Sequence, residues 1–370
     1  MSYSADMVIA QGKCHAFFAY EVAQAIDLDA AEHRLLAGAE RQAIKHKRRA
    51  PASFEYRPAP LRVTRAGGSH TLGTYQAAPT VELVLYDFGA VSVSYEIPIE
   101  GPLESLPALA EELWGNEALL ADSRRQVEAL LPVLGDAAIR PRLADFVEDY
   151  SVFHIERFAA PCEAATLWTE RGQTVAQVLR AARHPLSQQE VAEATALRLS
   201  FGPNDATIID TDAAVLFDPE GEDVRDVIEF ANTQLLEMRF LDQQLDDALE
   251  RAYETLLGRV PRFRDRGRLG SDVRRLARLQ LDAAILFEQV TNALKLVGDQ
   301  FLARVYSLAS RRFHLAEWDA SISRKLQTID GIYGKMTDRA ATRRMEILEW
   351  IIIVLFVLSL ALSVFTLTPH

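Results

Sequence analysis

The sequence has few of the residues that build common catalytic or metal-binding motifs. Among 370 residues there are 2 cysteines, Cys14 and Cys162, too few and too isolated for a disulfide framework or a cysteine-based zinc site. No phosphate-binding P-loop, dinucleotide-binding glycine turn, HExxH motif or Gly-x-Ser-x-Gly elbow occurs. We therefore predict no catalytic residue, no metal site and no cofactor, and a protein that is not an enzyme.

The chain is also sparse in glycine and proline, and it has no excess of basic residues. With 18 Gly, 15 Pro and 49% hydrophobic residues, it is expected to fold and not to remain disordered. A net charge of −12 disfavours a nucleic-acid partner, because phosphate binding needs a basic surface. The first residues resemble neither a secretion signal nor an organelle presequence, so we expect the body in a reducing, cytosolic compartment.

The histidines, cysteines and tryptophans are isolated in the sequence, and we predict that they pack in the fold and do not form a functional site. The 8 histidines are scattered, and their spacing gives no reason to join them in one site. Neither cysteine has a basic neighbour that would stabilise a thiolate, apart from His15, which belongs to the opposite face of its strand. We expect structural roles for His15, His154, His184, Cys14, Cys162, Trp114 and Trp168.

The densest acidic group lies within residues 205–223. Oxygen ligands of this kind suit a hard cation, which leaves a metal-dependent enzyme as one alternative. However, no EF-hand spacing is present, and aspartates in turns and acids at a helix start satisfy ordinary turn and capping preferences. We favour the structural role for Asp205, Asp210, Asp212, Asp218, Glu220, Glu222 and Asp223.

The fold class predicted for the soluble part is α+β, with a mixed α/β body at residues 1–218 and a candidate internal boundary near residue 135. The pattern at Val91, Val93, Tyr95 and Ile97 alternates with polar or small residues, as in a half-buried strand. The segment Asp87-Phe88-Gly89 supplies the turn between this strand and the predicted strand VELVLYD before it. Further strands are predicted at residues 150–158 and in three short segments before residue 218.

Residues 219–349 are predicted to form a stalk of long helices. Apolar residues recur at steps of three and four along three stretches, the last beginning at Leu315. This pattern is typical of an antiparallel helical bundle or coiled coil that packs on itself or on another copy. We therefore expect a homo-oligomer.

A transmembrane helix is predicted at residues 350–367, followed by a short tail at 368–370. The segment has eighteen residues without a charge and would reach roughly 27 Å as a helix. Basic residues before it, including Arg343 and Arg344, place the body in the cytosol by the positive-inside rule, in a single-pass, tail-anchored protein of a bacterial inner membrane. The anchor residues are Trp350, Ile351, Ile352, Ile353, Leu355, Phe356, Leu358, Leu360, Leu362 and Phe365.

An arginine-rich link joins the first two long helices. If the helices are antiparallel, this link returns to the membrane, where a negative leaflet attracts basic residues. Two alternatives stay open, a solvated loop that balances acidic helix faces and a contact with RNA. The candidate anionic-lipid contacts are Arg259, Arg262, Arg264, Arg266, Arg268, Arg274, Arg275 and Arg278.

Three stretches, FFAYEVAQAIDLDAAE, LYDFGAVSVSY and LEWIIIVLFVL, together resemble the family named "required for meiotic nuclear division". This family is catalogued as a domain of unknown function and occurs in bacteria and in mitochondria. The aromatic, proline-containing acidic motif expected before the long helices is missing, so the chain resembles a distant bacterial relative. The resemblance implies a membrane-anchored, helical-stalk protein without an established activity; the mitochondrial relatives support translation by organelle ribosomes. No active-site residue is carried over.

The function that these patterns favour is a membrane-anchored scaffold or interaction protein, with an α/β head on a helical stalk and a protein partner not yet identified. One alternative is an oligomeric divalent-cation transporter of the magnesium-channel type. That class has two membrane spans with a Gly-Met-Asn signature between them, and this sequence has neither. The other alternative is the metal-dependent enzyme that would use the acidic group.

Overall fold

The computed structural model describes residues 7–35, 39–41, 58–257, 281 and 300–366. The chain divides into two units, one formed by Met1–Phe240 with Leu286–Asp319 and the other by Leu241–Ile285 with Ala320–His370. The mixed α+β class predicted from the sequence is confirmed, while the predicted domain limits stay predictions.

The first unit is built on a 10-stranded sheet. Its strand order is β12-β13-β14-β11-β1-β8-β7-β4-β3, and β9 pairs with the first two residues of β1. The neighbours β11 and β14 run parallel, and the other described pairs of this sheet are antiparallel. Two further sheets have two strands each, β10 with β2 and β5 with β6. The described strands are β1 (Val8–Glu21), β2 (Ala25–Ile26), β3 (Ala39–Arg41), β4 (Leu61–Ala66), β5 (Thr71–Leu72), β6 (Tyr75–Gln76), β7 (Thr80–Leu85), β8 (Ala90–Pro98), β9 (Gly101–Pro102), β10 (Ala138–Ile139), β11 (Val147–Phe158), β12 (Arg198–Leu199), β13 (Ala206–Ile209) and β14 (Ala213–Phe217).

In the described sequence, the helices up to Ala194 lie between strands, and the helices from Glu222 onward follow the last strand. The prediction of one continuous helix from Leu315 is confirmed. The described helices are α1 (Leu28–Arg34), α2 (Leu106–Leu113), α3 (Glu117–Leu134), α4 (Thr166–Thr169), α5 (Gly172–Leu179), α6 (Gln188–Ala194), α7 (Glu222–Leu257), α8 (Gln300–Arg312) and α9 (Leu315–Thr366). Short 3-10 turns occur at Leu103–Ser105 and Gly135–Ala137.

The predicted hairpin of β7 and β8 is confirmed, and its tight turn follows from one glycine. The amide of Tyr86 donates to the Ala90 carbonyl at 2.9 Å, and the Gly89 amide donates to the Tyr86 carbonyl at 3.1 Å. Gly89 has φ +104, which side chains other than glycine rarely adopt. The turn therefore fixes the register that brings Val91 opposite Leu85.

The sheet has one apolar face and one more polar face, which carries Phe17 and Val84 as well as Ser92 and Ser94, and both faces are covered. Val91, Val93, Tyr95 and Ile97 point into the main core with apolar residues of α2, α3 and α5. The sequence predicts a half-buried strand, with the residues between them on an exposed face, but Ser92 and Ser94 are buried as well. They are covered because polar residues of α7 lie over this second face.

In the second unit, the later part of α7 and the early part of α9 lie side by side. Lys325 on α9 forms ion pairs with Asp242 and Asp246 on α7 at 2.8 and 2.6 Å. Leu245 and Ile322 are fully buried, as their apolar spacing predicts. Among the described residues, no helix combines enough length with enough apolar character to cross a membrane.

Candidate functional site

The predicted anchor residues begin on an exposed stretch of α9. Each side chain from Trp350 to Leu358 is between 49% and 68% exposed, so the apolar surface runs around the whole helix. The backbone of Leu360, Leu362 and Phe365 continues this helix, whereas their side chains lie outside the described residues. The arginine-rich link, with all eight candidate lipid contacts from Arg259 to Arg278, also lies outside the described residues.

The acidic residues 205–223 separate into individual structural roles. Asp205 accepts hydrogen bonds from the Phe201 and Gly202 amides at 2.7 and 2.5 Å, which closes a turn. Asp210 is fully buried and forms ion pairs with Arg180, at 2.8 Å, and with Arg312. The further acids lie at the turn that leads into α7 or in its first turn: Asp218, Glu220, Glu222 and Asp223.

No group of three His, Cys, Asp or Glu side chains in the described part of the chain is arranged to hold a metal ion. Asp212 is the member of the acidic group that lines a cavity, and it lies beside Asp149, which the sequence interpretation did not connect with it. The parallel pairing of β11 with β14 brings Asp149 and Asp212 together. Because the two residues are far apart in the sequence, their spacing does not predict this proximity.

Two histidines that the sequence leaves unconnected lie near each other on the polar sheet face. In the register of β1 and β11, Lys13 pairs with His154 and His15 pairs with Val152. Since a carbonyl oxygen only accepts, His154 donates from Nε2 to the Asp218 carbonyl at 2.7 Å. Burial lowers the pKa of both imidazoles, and the nearby Arg225 also lowers the pKa of His15. Both rings are therefore neutral packing groups under helix α7.

The two cysteines and two tryptophans divide in their agreement with the sequence. Cys14 is fully buried in the core, and the partly buried Cys162 packs against that core, so the expected packing role of both cysteines is confirmed. Trp168 is partly buried, and the Arg198 guanidinium lies 5.2 Å from its ring. Trp114 is 60% exposed, so its predicted packing role is wrong. Trp114 is the C-cap residue of α2, and its backbone is extended.

A buried charge cluster joins the polar sheet face to α7, and the sequence analysis missed it. Arg62 on β4 donates to Glu82 on β7 and to Asp226 on α7, each at 2.7 Å. Arg225 binds Asp226 with its Nη2 at 2.6 Å. Ser92 on β8 donates to Glu229 Oε1 at 2.7 Å. Three strands and one helix are therefore linked by charge-assisted hydrogen bonds.

A signal for this cluster is present in the sequence of α7. Asp226, Glu229 and Thr233 recur at steps of three and four, which places them on one helical face. All three are buried, because that face lies on the sheet. A polar stripe on a helix is usually solvated, so its burial depends on partners from distant strands that the sequence of the helix does not identify.

The electrostatics of the cluster differ between its two α7 carboxylates. Burial alone would raise the pKa of Asp226, but the guanidinium groups of Arg225 and Arg62 outweigh it and hold that pKa below its usual value. Burial raises the pKa of Glu229 to about 7, and the charges of Arg62, 3.8 Å from Oε2, and of Arg225 offset only part of this effect. Asp226 therefore carries the charge of the pair, and Glu229 titrates near neutrality.

This cluster is a structural site. Arg62 and Glu229 are nearly inaccessible, at 7% and 1% exposure, whereas the Glu82 side chain at the edge of the cluster is 29% exposed. Breaking such a pair is costly because a charge is left buried without its partner. The cluster therefore holds the first part of α7 in one position on the sheet.

The Glu229→Gln variant should be as stable as the wild type at pH 4.5 and more stable at pH 8, by up to about 3 kcal/mol. A raised pKa in the folded state means that Glu229 contributes stability below its unfolded pKa, and that this contribution is lost as pH rises through about 7. Glutamine keeps an acceptor for Ser92 and removes this titration. Urea unfolding of both proteins across this pH range measures the difference.

The matched control for this pH dependence is Glu128→Gln, on the solvent-exposed face of α3. It should reproduce the pH profile of the wild type. If the stability difference between Glu229→Gln and the wild type is equal at pH 4.5 and pH 8, the proposed titration of Glu229 is wrong.

Comparison with known proteins finds similarity in the first unit. Residues 11–223 match the family model described as "Uncharacterized protein MJ0711, N-terminal domain". "Uncharacterized protein MJ0711" from Methanocaldococcus jannaschii is 21% identical over 220 residues, which are 59% of this chain and 66% of the relative. The match thus spans slightly less than two thirds of that relative's length. No solved structure matches the chain. The matched range begins within β1 and ends in the first turn of α7.

Proposed function

The chain belongs to the family described as "Uncharacterized protein MJ0711, N-terminal domain", and from this premise we propose that it is a single-pass, membrane-anchored scaffold or interaction protein. The α/β unit is its cytosolic interaction body, and residues 350–367 are its transmembrane anchor. The observation that carries the proposal is the exposed apolar stretch from Trp350 to Leu358.

The distribution of this apolar surface favours lipid as its solvent. A helix in a coiled coil or bundle buries one stripe, whereas this segment is apolar and exposed on every side. Leaving nine such side chains in water would cost on the order of 10 kcal/mol. The uncharged sequence continues to Leu367, and roughly 27 Å of helix is close to the thickness of a bilayer core.

The orientation and assembly belong to the same proposal. Lys335, Arg339, Arg343 and Arg344 precede the apolar run, which supports a cytosolic body at a bacterial inner membrane. The apolar spacing of the long helices supports a homo-oligomeric, coiled-coil stalk. The arginines between residues 259 and 278 are proposed to bind anionic lipid on the cytosolic leaflet.

The first part of α7 is an integral part of the body, which fits a scaffold with a stable interaction surface. The ion pairs of Arg62 and Arg225 with Asp226 hold the first part of α7 on the sheet. The segments FFAYEVAQAIDLDAAE and LYDFGAVSVSY support the finer proposal that the chain is related to the "required for meiotic nuclear division" proteins. That relationship would agree with a non-catalytic membrane protein whose partner is another protein.

The test of the anchor is a pair of arginines in the middle of the apolar run. The double variant Val357→Arg, Leu358→Arg should raise the free energy of membrane insertion by about 6–8 kcal/mol. The full-length variant should then appear in the supernatant after alkaline carbonate extraction of membranes, while the wild type should remain in the pellet.

Glu349→Arg is the matched control, because it changes the net charge by the same amount just before the apolar run. This variant should stay in the membrane pellet. Release of the wild type by carbonate, or retention of the double-arginine variant in the membrane, would rule out a transmembrane anchor at these residues.

A further inference from the structure

A cavity of about 270 Å³ lies at one end of strands β11 and β14 in the first unit. The end of α2 contributes Leu113 and Trp114, and the end of α5 contributes Val178 and Leu179. Asp149 on β11 and Asp212, immediately before β14, supply its carboxylates. The volume is just below the usual range of about 300–1,000 Å³ for ligand pockets, so a ligand would be small.

The sheet itself brings the two aspartates together. Ser151, which also lines the cavity, donates its amide to the Asp212 carbonyl at 3.1 Å and pairs with Ala213 in the parallel register. Asp149 lies two residues before Ser151 on the same strand, so its side chain leaves the same face. Both aspartates reach solvent at this end of the sheet.

The neighbouring cations are already bound by other acids. Arg180 lies 2.8 Å from Asp210, and Arg312 also pairs with Asp210. Arg239 binds both carboxylate oxygens of Glu148, one of them at 2.9 Å. Within the described residues, neither Asp149 nor Asp212 has a Lys or Arg partner at ion-pair distance. The positive charges of Arg180 and Arg239 therefore act on Asp212 only from beyond ion-pair distance.

The titration of these two groups agrees with that geometry. Partial burial raises the pKa of Asp149 and of Asp212. In Asp212 the charge of Asp149 adds to the effect, and the positive charge of Arg239 offsets part of it in both residues. Both carboxylates are thus less stable as anions here than in water. A bound cation would remove this penalty.

The walls distinguish an organic cation from a metal ion. Leu113, Phe153, Val178 and Leu179 line the cavity but are at most 5% exposed, so an aliphatic stem would contact mainly the more exposed Trp114 and Ala181. A metal ion would require further oxygen ligands. Trp114, 60% exposed at the rim, offers an aromatic face to a cation. We propose that this cavity binds a guanidinium or ammonium group on a short aliphatic chain, independently of the membrane anchor.

The ligand chemistry has two sources, a free amine or guanidine and an arginine or lysine side chain of a protein. Calorimetric titration of the detergent-solubilised full chain with butylguanidine tests the chemistry, and N-butylurea is the neutral analogue of the same shape. Butylguanidine should bind at least about tenfold more tightly than N-butylurea. Tighter binding of the blocked peptide acetyl-Gly-Arg-Gly-amide would assign the site to a protein side chain, and weaker binding would assign it to a free cation.

The variants Asp149→Asn and Asp212→Asn should each weaken butylguanidine binding at least about tenfold. Trp114→Ala, which removes an exposed side chain, should weaken it as well. Asp145→Asn is the control, because this carboxylate is fully exposed near the same strand and outside the cavity. Equal affinity for butylguanidine and N-butylurea, or unchanged affinity in both aspartate variants, would overturn the proposal.

Discussion

Replacing Arg62 by methionine is expected to lower the free energy of unfolding by about 3–5 kcal/mol. Methionine fills much of the same space, but it leaves Glu82 and Asp226 without the guanidinium that now lies 2.7 Å from each. Glu229, 3.8 Å away, loses its nearest cation as well. Arg225 alone would then face two buried carboxylates, Asp226 and Glu229, and the partly exposed Glu82. The buried carboxylates would protonate or the contact between α7 and the sheet would open.

Urea unfolding of the full-length protein at neutral pH measures this effect. Arg124→Met is the matched control, because Arg124 has two carboxylate partners, Glu128 and Asp145, in ion pairs that are largely exposed. Exposed pairs contribute about 0–1 kcal/mol, so this variant should be nearly as stable as the wild type. Similar losses in both variants would mean that burial of the Arg62 cluster contributes nothing specific to stability.

The sequence predicts the elements of the body better than the contacts between them. The β7–β8 hairpin and helix α7 appear where alternation and helical periodicity indicate. The alternation in β8 also separates Val91 and Val93 from Ser92 correctly, because the period of two is a property of the strand itself. It does not reveal that Ser92 is buried, since that depends on a helix more than a hundred residues later.

The charge cluster was hidden for the same reason. Arg62 and Asp226 belong to distant segments, and each alone is typical of a solvated surface. Only the topology, with β4 and β8 on either side of β7 and α7 across them, brings the opposite charges together. Polar residues on one helical face were a real signal, but a single sequence cannot pair them with a strand.

The cavity residues could not be grouped from the sequence either. The sequence groups Asp212 with its neighbours in residues 205–223, whereas the structure groups it with Asp149 through the parallel ladder of β11 and β14. Parallel neighbours are joined by long crossovers, so their side chains have no fixed sequence spacing. The candidate ligand site therefore required the strand order, and composition could not supply it.

Replacing Gly89 by alanine is expected to lower the free energy of unfolding by about 3–5 kcal/mol, from backbone strain and lost hydrogen bonds. Gly89 has φ +104, and a Cβ atom there would lie 1.9 Å from the carbonyl oxygen of Ala23. The Gly89 carbonyl also accepts from the amides of Val22 and Ala23, at 2.9 and 3.1 Å. The turn must therefore move away from the end of β1, and the loss is measured by urea unfolding.

Gly101→Ala separates the two causes. Gly101 has the same φ of +104, but nothing lies within 4 Å of the Cβ position. This variant should cost only the backbone strain, about 1–3 kcal/mol. If Gly89→Ala is no less stable than Gly101→Ala, the close approach of Gly89 to Ala23 does not contribute to the stability of the protein. A larger loss at Gly89 would mean that close approach of the β7–β8 turn to the end of β1 holds the centre of the sheet in register.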